Sequence, residues 1–171
     1  MQTKGAAMVK AIYTLACALM FTLFLGWHSG VEAQSATALE ITGVASGPGP
    51  IYLELADLDA MPQVTFETST IWTDGTVMFS GVPLKALLGE LSGQSGVVEM
   101  VALNDYKVDM PLNRVEDGAP ILATRMNGET MSVRDKGPYW VVFPYDSDTK
   151  YQTETTYAWS IWQLNRLKVV D

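Results

Sequence analysis

The sequence predicts an α+β domain of many short strands and two short helices. Short runs rich in β-branched and aromatic residues recur between residues 40 and 143, separated by Gly, Pro, Asn and Asp turns. Only two stretches, residues 55–61 and 84–91, repeat Leu or Met at helical spacing. There is no internal repeat and no low-complexity tract, so these elements must bury one another within a single domain.

Taken in order, residues 34–39 read as a polar tether and residues 40–44 (Glu-Ile-Thr-Gly-Val) as a short strand. Ser46-Gly-Pro-Gly-Pro50 is a turn-rich break, and residues 52–55 are extended. Leu55, Leu58 and Met61 share a helical face that ends before Pro62. Residues 64–72 alternate and are rich in Val, Thr, Phe and Ile, which makes them the strongest strand; Thr73-Asp-Gly75 closes it as a turn. Residues 79–83 are expected to open with a turn and lead into a helix carrying Leu84, Leu87, Leu88 and Leu91, with Pro83 where a first helical turn tolerates it. Residues 97–103 and 107–110 read as strands around Asn104-Asp105, and residues 119–126 as a strand ending at the Asn127-Gly128 turn. Residues 139–143 form a continuous apolar strand of the buried kind. The last stretch, residues 157–170, is marked only by its apolar and aromatic content: Trp159, Ile161, Trp162, Leu164 and Leu167.

Residues 1–33 read as a secretory signal, with Lys4 and Lys10 before an uncharged apolar run over residues 11–27 and a small-residue site at Val31-Glu32-Ala33. A retained membrane anchor is the competing reading, because that run approaches the ~20 residues needed to span a bilayer. Gly26, Ser29 and Gly30 break the run where a cleavage region should begin, which favours export to the periplasm. Cleavage leaves residues 34–171, enough for one domain with its own core. The formal charge of −8 argues against nucleic acid as a partner.

The only Cys, Cys17, and the only His, His28, both fall within the leader. The mature chain therefore has no nucleophilic thiol, no Ser-His-Asp arrangement, no disulfide and no thiolate or imidazole metal ligand. The remaining acid/base candidates show no diagnostic pairing: Asp57 and Asp59 fall on different helical faces, and Asp146-Ser-Asp148 lacks the spaced ligands of a calcium loop. No catalytic residue is assigned.

Four tryptophans follow the leader: Trp72, Trp140, Trp159 and Trp162. Each on its own is as readily a core residue. Trp72 and Trp140 nevertheless end or sit in strands beside loops that hold Arg125, Arg134 and Lys136, a composition suited to stacking and gripping a planar heterocycle.

Four ordered segments carry a family resemblance. Phe79-Ser-Gly-Val-Pro-Leu-Lys-Ala-Leu-Leu resembles the "GVPL…LL" signature of the sulfite-oxidase-like molybdopterin-binding domain. Residues 102–111 resemble its "A-x-D-G-Y…P" segment, residues 121–128 its "LLA…NG" strand and turn, and residues 137–144 its "G-x-P-x-R-L-V-V-P", with Trp162 at the late "K-W". The resemblance spans roughly residues 39–170 and implies a sulfite-oxidase-like fold of mixed sheets and short helices.

In that family a cysteine thiolate ligates molybdenum four residues before the tryptophan that precedes "GVPL". Here that position is Thr68, counted from Trp72. Trp140 stands for the arginine of "P-x-R", and the lysine before the late tryptophan becomes Ile161, or Ala158 if Trp159 is aligned. A hydroxyl is a poor substitute for soft sulfur at molybdenum. These losses imply that the molybdenum cofactor itself is not bound.

Arg134-Asp-Lys-Gly-Pro138 and Ser160-Ile-Trp-Gln-Leu164 are similar to segments of the cysteine-less periplasmic pterin-binding regulators of membrane cyclic di-GMP enzymes. That narrower resemblance implies a non-catalytic protein holding a reduced, monapterin-like pterin non-covalently. The loaded protein would contact the periplasmic domain of a membrane-bound diguanylate cyclase or phosphodiesterase. The implied pterin contacts are Thr68, Trp72, Asp105, Arg125, Arg134, Lys136, Trp140, Trp159 and Ser160. Trp140 is expected to offer a stacking face, Asp105 to meet the amino-pyrimidine edge, and Arg125 or Arg134 the carbonyl side. Asp105 is equally suited to forming a turn, and Thr68 is more readily a strand residue with its hydroxyl in solvent. A molybdopterin-dependent oxidoreductase, or an accessory subunit with an empty pocket, are the alternative functions.

Overall fold

The computed structural model describes residues 38–43, 49–89 and 95–170; the expected leader, Val44 and Leu91 lie outside them. In chain order the elements are β1 (Leu39–Thr42), β2 (Ile51–Leu53), α1 (Leu55–Asp59), β3 (Val64–Ser69), β4 (Thr76–Pro83) and α2 (Leu84–Leu88). They continue with β5 (Val97–Ala102), β6 (Lys107–Pro111), β7 (Ile121–Met126), β8 (Glu129–Thr130), β9 (Trp140–Val142), α3 (Glu154–Trp159) and β10 (Leu164–Val170). Among the described residues, the short 3₁₀ turns Leu112–Arg114, Val133–Asp135 and Thr149–Tyr151 lie in the connections. No helix among the described residues is long and apolar enough to cross a membrane.

Two sheets organise these elements. One runs in the order β2-β1-β10-β5-β6 and is mixed, because β1 lies parallel to β10 while its other pairs are antiparallel. Parallel neighbours need a long connection, and here nearly the whole domain separates β1 from β10. The second sheet is antiparallel and runs β3-β4-β7-β8, with β9 pairing Ile121–Ala123 of β7 through Val142, Val141 and Trp140. The two sheets supply a common core that includes Ile41, Phe79, Met100, Ile121, Trp140 and Leu164, all fully or almost fully buried. As the unbroken apolar run implied, every residue of β9 is buried.

Residues 79–83 continue strand β4 instead of turning. Gly81 makes this possible, because a Cβ there would stand 2.0 Å from the Leu122 carbonyl oxygen and 2.7 Å from Ala123 Cα. The missing side chain lets β4 lie against β7, and the register shifts between Ser80 and Gly81. Only after Pro83 does the chain enter α2, which buries Leu84, Leu87 and Leu88 and ends at Gly89 with φ +59°.

The strand expected over residues 64–72 stops at Ser69. There the Ser69 N–H and hydroxyl both donate to the Asp146 carboxylate, at 2.5 and 2.8 Å, and Thr70 Oγ1 accepts from the Trp72 N–H at 3.0 Å. These side-chain bonds satisfy the backbone locally and turn the chain. The final stretch divides into a third helix and a strand. Thr153 caps α3 by accepting from the Thr156 N–H at 3.2 Å, and β10 takes the central place in the mixed sheet.

Candidate functional site

A cavity of about 350 Å³ opens beside α3, near the lower end of the ~300–1,000 Å³ typical of small-molecule pockets. One wall comes from the β5–β6 turn, through Ala102, Asn104 and Tyr106; Trp72, just past β3, supplies another. The third follows α3 and its exit, with Tyr157, Ala158, Ser160, Ile161, Trp162 and Gln163. Trp72 holds the walls together through edge contacts with Tyr157 at 5.9 Å and Trp162 at 5.6 Å. Among the described residues, no Asp, Glu, Lys or Arg lines this cavity.

Of the nine residues singled out from the sequence, Trp72 and Ser160 line this cavity. Ser160 has little left to offer a ligand, since its Oγ accepts from Tyr145 Oη at 2.6 Å and donates to the Thr156 carbonyl at 2.8 Å. Trp140 is fully buried, so it has no free face on which a ligand could stack. It packs edge-on against Phe79 (5.2 Å), Trp72 (5.9 Å) and Trp162 (6.4 Å), and its indole N–H donates to the Ser160 carbonyl at 3.1 Å. Trp140 therefore supports the cavity wall from behind.

The expected cationic grips also lie elsewhere. Arg125 donates to both carboxylate oxygens of Asp59, at 2.5 and 2.8 Å, and that hydrogen bonding holds the Asp59 carboxyl below its ordinary range. Lys136 is not among the residues that line the cavity; its ammonium lies over Trp162 at 4.4 Å and over Trp140 at 5.2 Å. Arg134 is exposed, with no ion pair among the described residues. Asp105 occupies the β5–β6 turn at φ +63° and accepts from Arg166, so its carboxylate is turned to a protein partner.

Trp159 instead lines a second cavity of about 300 Å³, with Phe143, Tyr151 and Arg114 also among its walls. There Glu116 accepts from Lys150 at 2.7 Å and from Tyr151 Oη at 3.0 Å, and the Lys150 bond is the main reason its carboxyl sits below the ordinary range.

Sequence reasoning missed Asn104, Tyr106, Tyr157 and Gln163 as lining residues. The only available signal was proximity, since each lies within two residues of Asp105, Trp159 or Trp162.

Tyr145 and Tyr139 are almost fully buried, and burial pushes both phenols up to about 12. A phenol whose folded pKa exceeds its unfolded value of ~10 contributes stability that is complete below that pH and lost as the pH rises toward the folded value. Tyrosinate absorbance from these two residues is expected only above pH ~10, growing toward about 12, together with loss of near-ultraviolet circular dichroism. Ionisation of every tyrosine with the dichroism intact would contradict this burial.

Residues 28–148, more than half of the chain's length, match the oxidoreductase molybdopterin binding domain. The chain belongs to that family. Its domain is of the sulfite-oxidase-like type, and the family binds a molybdopterin cofactor. The fold is similar to that of the sulfane dehydrogenase SoxCD from Paracoccus pantotrophus, at 20% identity and a TM-score of 0.57. That likeness covers 78% of this chain but 38% of the other, so the chain spans well under half of that protein's length. No curated protein matches. The cavity wall from Tyr157 to Gln163 lies beyond the stretch that matches the family.

The residues present do not fit a molybdenum centre at the position of the family's thiolate. Thr68 is fully buried; its Oγ1 accepts from the Asp146 N–H at 3.1 Å and donates to the Ser69 carbonyl at 3.3 Å. Its hydroxyl is thus turned inward, not to solvent. The described residues contain no Cys or His, and none of them form a group of three or more metal-ligating side chains.

Proposed function

We propose that this chain is a periplasmic, non-catalytic pterin-binding protein that reports pterin occupancy to the periplasmic domain of a membrane-bound diguanylate cyclase or phosphodiesterase. The supporting observation is the cavity walled by Trp72, Tyr106, Tyr157 and Trp162, in a chain whose family binds a pterin-based cofactor. Aromatic walls suit a flat heterocycle, and a lining without cations suits one that lacks the phosphate of molybdopterin. In place of the thiolate, the threonine hydroxyl is already hydrogen-bonded within the protein, which supports occupancy without molybdenum; the pterin of this reading is reduced, monapterin-like and held non-covalently. Family membership also favours a second reading, a molybdopterin-dependent oxidoreductase.

One preparation separates the two. The full chain, exported and purified from the periplasm, is expected to release a fluorescent pterin on denaturation and to contain no molybdenum by elemental analysis. Stoichiometric molybdenum would favour the oxidoreductase, and protein unable to take up any reduced pterin would overturn the sensor. In cells, Trp72→Ala is expected to change cyclic di-GMP in the same direction as deleting the protein. An unchanged level in the variant beside a changed level in the deletion would point to a role independent of the cavity.

A further inference from the structure

Two neutral amides in the cavity wall are each half used. Asn104 Oδ1 accepts from the Tyr106 N–H at 3.1 Å, which identifies that atom as the oxygen and leaves the Nδ2 amine without a partner among the described residues. Gln163 Nε2 donates to the Val133 carbonyl at 2.6 Å, which identifies it as the nitrogen and leaves Oε1 unpaired in the same sense. One free donor and one free acceptor therefore remain, both on residues lining the cavity.

Neither group is loose. The Gln163 backbone donates to the Lys136 carbonyl at 3.0 Å and accepts from the Leu103 N–H at 2.9 Å, which pins the residue at φ +54°. Asn104 is held by the turn in which neighbouring Asp105 accepts from Arg166. Preorganised groups lose little freedom on binding, so they discriminate between ligands. The nearby charges are committed to the protein itself: Lys136 to the indole faces and Asp105 to Arg166.

We infer that Asn104 and Gln163 determine the specificity of this cavity. The Asn104 amine donates to a ligand carbonyl or ring nitrogen, and Gln163 Oε1 accepts from a ligand amino or ring N–H group. The ligand class so selected is an uncharged planar heterocycle with an acceptor and an N–H donor along its edge, bearing no phosphate or carboxylate. This rests on the pterin reading for the heterocycle, but it assigns recognition to neutral amides in place of the ionised residues expected from the sequence.

The test is calorimetric or fluorescence titration of the full chain with 7,8-dihydroneopterin, its monophosphate, 6-carboxypterin and guanine, the last sharing the amino-pyrimidinone edge without being a pterin. The wild type is expected to prefer uncharged dihydroneopterin over both anionic pterins by at least about tenfold. Asn104→Asp and Gln163→Met should each weaken it by roughly three- to tenfold, the scale of one lost hydrogen bond. Asn104→Arg should bind 6-carboxypterin more tightly than the wild type does, a gain that a merely unfolded variant cannot show. Equal wild-type affinity for neutral and anionic pterins, or unchanged affinity in both amide variants, overturns the inference while leaving pterin binding intact. Binding of guanine but of no pterin, with the same sensitivity to the variants, sustains the inference and defeats the pterin reading. Failure to bind any of the four overturns both.

Discussion

Trp140→Ala is expected to lower folding stability by about 3–5 kcal/mol, the usual cost of truncating a buried aromatic side chain to alanine. The ring is wholly excluded from solvent and lies among Phe79, Trp72 and Trp162, and its indole N–H satisfies the Ser160 carbonyl. Truncation opens a void and leaves that buried carbonyl without its donor, and the two losses add. The Lys136 ammonium also loses one of its two aromatic faces. Urea denaturation checks the expectation. Trp140→Phe should recover much of the packing but not the hydrogen bond, and so fall between wild type and alanine. A loss below about 1 kcal/mol in Trp140→Ala, as expected of a surface residue, would contradict the core assignment.

Gly81→Ala is expected to destabilise by about 3 kcal/mol or more, at or above the upper end for an overpacked site. The added methyl group would meet the Leu122 carbonyl and Ala123 Cα, which are backbone atoms of the neighbouring strand and cannot swing aside as a side-chain end would. Relief requires β4 and β7 to separate, although they pair from Phe79–Met126 to Pro83–Ile121. Gly49→Ala provides the control: among the described residues nothing lies within 4 Å of its Cβ position, and the change should stay within about 0.5 kcal/mol. Thermal melts of the two variants beside wild type decide the matter. A near-neutral Gly81→Ala would mean that the two strands are not so closely paired.

These two residues also mark where local reading succeeded and where it failed. The "GVPL" segment is legible as a motif, yet by local sequence its glycine opens a turn. Only the partner strand, some forty residues further on, shows why a residue without Cβ belongs in a ladder. Trp140 was legible as a residue of a buried strand, since residues 139–143 are uniformly apolar. Its proposed stacking face was a misplacement, because periodicity says that a strand is buried but not which neighbours cover each ring. Arg125 shows the same limit. Its carboxylate partner, Asp59, lies 66 residues earlier and becomes a partner only when α1 is brought to β7.

By itself the sequence determined the α+β class, the run of short strands and the family motifs. Each depends on residue type and near spacing, which side-chain periodicity and turn chemistry express locally. The tertiary structure decided which aromatics face the cavity and which stand behind it, that Thr68 is bonded inward, and that neutral amides remain open where ionised groups were expected. Those outcomes depend on pairings between distant segments: β10 enters the mixed sheet between β1 and β5, and that placement brings the exit of α3 against the β5–β6 turn. A cavity belongs to the space between such elements, and no local window of the chain contains it.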